Sequence, residues 1–166
     1  LLKENEVEYN NFRFQLKRSI EVLIIIMKEK HLTPVGCEMK YDGVLEKLDC
    51  DFNARIDMVL EDAQGDTVIF DFKWTYSDFY GNKIKESKAI QLELYRKVLE
   101  QQGKKVSAVG YYLMPKCVLE TASYPTLKDG KGNIIIDHIE PLNDVNLIDQ
   151  ILNSIEQRKK EILEEG

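Results

Sequence analysis

Cysteine is scarce in this sequence and follows no pattern. Cys37, Cys50 and Cys117 stand far apart among 166 residues, and no CxxC occurs. That argues against a disulfide framework or a cysteine-built zinc site, and it suits a reducing cytoplasm. Long apolar runs are also missing. The longest, VLIIIM at 22–27, falls well short of the roughly 20 residues needed to cross a bilayer. The opening residues, LLKENEVEYNN, are polar and acidic, unlike a secretion signal. No initiator methionine stands before them, so the chain reads as an excised domain of a longer protein. An excess of positive charge is lacking too. The 23 Lys and Arg residues are outnumbered by 29 Asp and Glu, for a net charge of −6. Charge alone therefore does not announce a nucleic-acid binder. There are no internal repeats and no low-complexity segments.

What remains is the composition of one globular domain with a real core, 43% hydrophobic and 31% charged. Residues 6–30 carry Phe12, Leu16, Ile20, Leu23 and Met27 at helical spacing. Pro34 in HLTPVG then disfavours helix at Thr33. The segment 35–45 predicts a first strand, and EKLDCDFN a polar link. Residues 54–61 and 66–74 predict two strands bracketing the turn DAQG. Residues 75–87 show no clear periodicity and predict a loop. Residues 88–103 predict a helix closing on Gly103. The segment 105–115 predicts a buried strand, 116–133 an irregular stretch, and 133–139 a short last strand. Residues 143–165 predict an amphipathic helix with Asn143 or Asp144 as its cap. This order predicts a single α/β domain over 1–166, with a mixed central sheet flanked by helices.

The hairpin ARIDMVLEDAQGDTVIFDFKW holds the chemistry. Alternation puts Ala54, Ile56, Met58 and Leu60 on one face of its first strand, and Arg55, Asp57 and Val59 on the other. On its second strand, Val68, Phe70, Phe72 and Trp74 share a face, and Ile69, Asp71 and Lys73 share the opposite one. The midpoint of 57 and 71 falls in DAQG, so the hairpin would set Asp57 opposite Asp71. Like charges across a strand pair are destabilising, and apolar neighbours make this worse. A proton, Lys73 or a divalent cation must balance the pair. Two carboxylates with a nearby backbone carbonyl suit a hard ion such as Mg²⁺.

The run RID, then DFK 14 residues later, then QLELY on a helix resembles the PD-(D/E)XK nuclease superfamily, and within it the RecB/AddB-type nuclease domains. The likeness spans roughly 35–115. It implies a restriction-endonuclease-like core and a Mg²⁺- or Mn²⁺-dependent hydrolysis of DNA phosphodiesters, of exonuclease character, in recombination or repair. It implies metal ligation by Asp57, Asp71 and the Phe72 carbonyl, with Glu38 as an outer or additional ligand. Lys73 would orient or deprotonate the attacking water and steady transition-state charge. Gln91 and Tyr95, four apart on one helical face, would line the site. There are departures. Ile56 replaces the Pro of PD, the first helix has no His, and His31 and His138 read as structural or exposed. Cys117 stands alone, so no iron–sulfur cluster is expected in this segment.

Within 75–105, seven basic residues face four acidic ones, a local balance of +3. Tyr76, Phe79 and Tyr80 interleave with Lys83, Lys85 and Lys88. That mixture suits phosphate contacts and base stacking on a single strand or a duplex end. A helicase module of a longer protein would deliver the strand, and no membrane is involved. The alternative from the same residues is a non-catalytic module on this fold that binds DNA or a partner.

Overall fold

Strands that are apolar at nearly every position need cover on both faces, and the two most apolar segments take the centre of the sheet. The computed structural model describes residues 2–45, 50–122, 124–127, 135–142 and 147–165. Its elements are α1 (Leu2–Glu29), β1 (Thr33–Leu45), β2 (Cys50–Glu61), β3 (Thr67–Lys73), α2 (Phe79–Lys85), α3 (Ile90–Gln101), β4 (Val106–Leu113), β5 (Val118–Thr121), a 3-10 turn (Pro125–Leu127), β6 (Ile135–His138) and α4 (Leu147–Glu165). The six strands form one sheet in sequence order. Pairing is antiparallel for β1–β2, β2–β3 and β4–β5, and parallel for β3–β4 and β5–β6. The mixed α/β architecture predicted above is therefore present. A parallel pair cannot be joined by a tight turn, and α2 with α3 forms the crossover from β3 to β4.

Each face of the sheet carries its own core. One, containing Val59, Ile69, Val109 and Leu113, lies under α3 through Leu92, Val98 and Leu99. The other, containing Leu60, Val68, Phe70 and Tyr112, lies under α1 through Leu23 and Ile26. Tyr112 ties α1 down further by donating its hydroxyl to the Ser19 carbonyl at 2.6 Å. Asp149 of α4 holds Lys97 of α3 at 2.6 Å.

Several local expectations change. The buried residues of α1 are Ser19, Leu23 and Ile26, with buried Lys30 just past its end, whereas Phe12 and Ile20 are each 45% exposed. Repeated i+4 steps advance by about 40° per step, so a run of them leaves the packed face. Phe12 instead lies against the half-exposed ring of Trp74, with centroids 4.8 Å apart. On β2, Ala54 and Ile56 pack with Val59 under α3, while Met58 and Leu60 face α1. The single face expected for 54, 56, 58 and 60 is thus broken at Asp57. Residues 79–85, expected in a loop, form α2, which docks through Gly81 and Ile84. Residues 118–121, expected to be irregular, form β5. A four-residue strand carries too little pattern to read, and β4 and β6 supply its register. Of the expected polar link 46–53, residues 50–53 instead open β2, held there by pairing with β1, while 46–49 and the caps Asn143 and Asp144 lie outside the described residues.

Two turns follow their sequence signals. Helix α3 ends with Gly103 at φ +78°, where the amides of Gly103 and Lys104 bond the carbonyls of Glu100 and Leu99. This is the Schellman pattern. Asp62 organises the hairpin turn: its Oδ1 accepts the amides of Gln64 and Asp66, each at 2.9 Å. Its Oδ2 accepts the hydroxyls of Ser107 and Thr126. Burial pushes this carboxyl up, but the four hydrogen bonds outweigh it and hold the group below its ordinary value. A depressed folded-state pKa stabilises above the unfolded value and is lost as pH falls through the folded one. Asp62→Ala should therefore cost about 2 kcal/mol or more in urea denaturation at neutral pH. Asp62→Asn should flatten the loss of stability below about pH 4 relative to wild type.

Candidate active site

The β2–β3 ladder runs from Glu61↔Thr67 to Met58↔Phe70 and stops there. One step further, Asp57 would face Asp71, as the midpoint of the hairpin predicts. At that step the strands part: β2 goes on pairing with β1, and β3 with β4. Asp57 fills the opening. Its Oδ2 accepts the amide of Phe72 at 2.7 Å, in place of a ladder partner.

Asp71 is 1% exposed. Lys73, two residues on and on the same face, sets its ammonium 2.5 Å from Asp71 Oδ2. Helix α3 completes the group. Gln91 Oε1 accepts from Lys73 Nζ at 3.1 Å, and Gln91 Nε2 donates to Asp71 Oδ1 at 2.9 Å. The same nitrogen donates to the Tyr95 hydroxyl at 2.7 Å, and that hydroxyl donates to the Arg55 carbonyl at 3.0 Å. Each member thereby constrains the next. The Arg55 carbonyl accepts the Tyr95 O–H, so the Tyr95 oxygen is left to accept from Gln91. The Gln91 nitrogen is thus turned to Asp71 and its oxygen to Lys73. A spacing of four residues on one helix makes this chain geometrically available.

Burial pushes the Asp71 carboxyl up, the Lys73 ammonium pulls it back, and the charge of Asp57 adds to the rise. For Lys73, burial pulls downward, but the contact with Asp71 more than offsets it and holds the group above its ordinary value.

The donor chemistry fits a hard cation. Asp71 Oδ2 is buried and, beyond the Lys73 ion pair, makes no hydrogen bond among the described residues. Asp57 brings a second carboxylate whose charge reaches Asp71. Among the described residues no three His, Cys, Asp or Glu side chains are grouped to hold an ion. The set is therefore two carboxylates, with the Phe72 carbonyl as the natural third oxygen. Mg²⁺ commonly accepts such a partial shell and completes it with water and phosphate.

Other expected site residues make other contacts. Glu38 has φ +53° within β1, and its carboxylate binds Arg55 Nε at 2.5 Å, with both side chains more than half exposed. It is not part of the Asp71–Lys73–Gln91 group. Tyr76 and Lys85 are exposed, Lys88 pairs with Glu86 at 2.7 Å, and Lys83 lies over the Phe79 ring at 4.4 Å. His31 and His138 are both exposed. Tyr80, noted above only for base stacking, and Tyr111, not noted, flank Lys73, with ring centroids 5.2 and 5.7 Å from Nζ. Their position follows from the β3–β4 register and from α2, neither of which has a local sequence signal.

The site thus gathers a buried Asp and a Lys from a DxK strand, an Asp from the preceding strand, and a Gln and Tyr one helical turn apart. The sequence model of the PD-(D/E)XK nuclease superfamily matches residues 8–165, and the chain belongs to that superfamily. No curated protein matches the sequence. Nucleases of this superfamily generally use divalent metal ions, and membership supports a hydrolytic nuclease with a DNA substrate. Among the described residues, no helix is long and apolar enough to cross a membrane.

Removing one partner of a buried ion pair strands the other charge. Lys73→Met should therefore destabilise the fold by about 3–5 kcal/mol at about pH 8. Because Asp71 already has a raised pKa, the deficit should shrink at a second, lower pH as the carboxyl takes up a proton. Equal losses at both pH values in urea denaturation would show that Asp71 is not the stranded group.

Proposed function

We propose that this chain is a RecB-type, Mg²⁺-dependent deoxyribonuclease that trims DNA from an end in recombination or repair. The observation that carries the reading is the buried Asp71–Lys73 pair clamped by Gln91 and Tyr95. Burying a carboxylate at a strand junction costs stability, and a site that needs a cation and a positioned ammonium accounts for that cost. Asp57, Asp71 and the Phe72 carbonyl would hold the ion. When bound, a divalent cation supplies a Lewis acid for phosphate oxygens and lowers the pKa of water. The chain's own groups do the rest. Lys73 orients the attacking water and offsets charge building on the phosphate. Gln91 keeps Lys73 and Asp71 in register, and Tyr95 keeps Gln91 from rotating.

Exposed Tyr76 and Lys85, with Lys83 and Lys88, supply ring and phosphate contacts suited to an unpaired strand or a duplex end. The acidic balance of the whole chain makes affinity in isolation weak and salt-sensitive. A helicase module of a longer cytoplasmic protein would raise the local concentration of strand. A non-catalytic DNA- or partner-binding module is the second reading. It is favoured by one observation, that the Glu38 carboxylate is taken up by Arg55.

Cleavage of end-labelled single-stranded DNA with Mg²⁺ or Mn²⁺ tests the proposal. Asp71→Asn and Lys73→Ala should each lose about 10²-fold or more in rate, and circular dichroism should confirm folded protein. Wild-type protein that binds neither ion calorimetrically would support the non-catalytic module instead.

A further inference from the structure

Lys73 ends a flexible four-carbon stem, and two hydrogen-bond partners on one side do not by themselves define where its ammonium points. The rings of Tyr80 and Tyr111 bound it further, at 5.2 and 5.7 Å from Nζ, and lie 4.8 Å from each other at an interplanar angle of 51°. Tyr111 is placed by the sheet, because it pairs with Asp71 across β3–β4. Tyr80 belongs to α2, a seven-residue helix that cannot hold its position by helix propensity alone.

The next residue anchors it. Gly81 is buried, and a Cβ there would lie 3.0 Å from Ile139 Cδ1 and 3.2 Å from Glu120 Cδ and Oε2. The Glu120 carboxylate therefore lies directly against the Gly81 backbone. Glu120 is itself 4% exposed and pairs with Tyr111 across β4–β5. Asp71, Tyr111 and Glu120 thus occupy one row of the sheet, with the lysine over one end and α2 fastened to the other. Neither Tyr80 nor the Gly81–Glu120 contact is among the residues that define the superfamily motif in this sequence.

We infer that Tyr80 is a positioning residue for Lys73: its ring face confines the ammonium, and the Gly81–Glu120 contact fixes α2 so that the ring stays there. The inference rests on the nuclease reading for its consequence in rate, but not for its geometry. Cation–π contact with Tyr or Phe is of similar character, whereas leucine fills space without the ring quadrupole.

Tyr80→Leu should lower the single-turnover cleavage rate at saturating DNA about tenfold. Tyr80→Phe should restore the rate, and Gly81→Ala should lower it in the same sense as Tyr80→Leu. A merely structural role would not separate Leu from Phe at equal thermal stability. A second readout needs no cleavage. In metal-free protein, ring currents should hold the Lys73 ε-methylene protons upfield of free lysine, and Tyr80→Leu should move them back while Tyr80→Phe does not. A Tyr80→Leu protein with wild-type rate or an unmoved Lys73 resonance would overturn the inference. If wild-type protein does not cleave, the nuclease reading fails, and the resonance alone decides the role of Tyr80.

Discussion

A carboxylate with almost no solvent contact sits at the point where two central strands part, and the local structure is organised by the need to balance it. Asp71 cannot be hydrated there, so its charge must be met from within the protein. Lys73 meets it from the same strand, because alternate residues share a face. Gln91 fills the second oxygen from the helix above, and Tyr95 and the Arg55 carbonyl keep Gln91 from turning. Each link in this chain of hydrogen bonds has its donor and acceptor determined by the previous one. Removing any member would leave another polar group buried without a partner.

The balance is incomplete in one direction only. Asp71 Oδ2 has the lysine and no further hydrogen bond among the described residues, and Asp57 adds a second negative charge nearby. A site optimised for stability alone would place an apolar residue or an amide at one of these positions. The remaining negative character at a strand junction is what a divalent cation requires. The supporting elements suit this task. The strands are packed on both faces by separate cores, so the carboxylates ride on a rigid platform. The short helix α2, fastened through Gly81, carries Phe79, Tyr80, Lys83 and Lys85.

Much of this was readable in order. The turn DAQG set a hairpin midpoint of 64, and the observed pairing of Met58 with Phe70 has that register. Asp71 and Lys73 were legible because strand alternation is strictly local, and Gln91 with Tyr95 because a helical turn is too. Glu38 was not, because its destination depends on a left-handed backbone conformation in β1 and on Arg55 two positions from Asp57. The faces of β2 were misread beyond Asp57 because alternation assumes a regular strand, and this one bends where its partner leaves. Strand β5 and helix α2 were missed because each is too short to show a period and draws its stability from the elements around it.

The amino-acid sequence by itself determined the class of fold, the hairpin register and the residue types of the site, since each rests on periodicities of two or about four residues. Only the tertiary structure decided that Asp57 would cap the amide of Phe72, that Gln91 would bridge Lys73 and Asp71, and that Tyr80 and Tyr111 would enclose the ammonium. Those contacts join strands, a crossover helix and a docked short helix separated by up to 38 residues. They depend on how two cores press helices onto opposite faces of one sheet, a property that no local window of sequence contains.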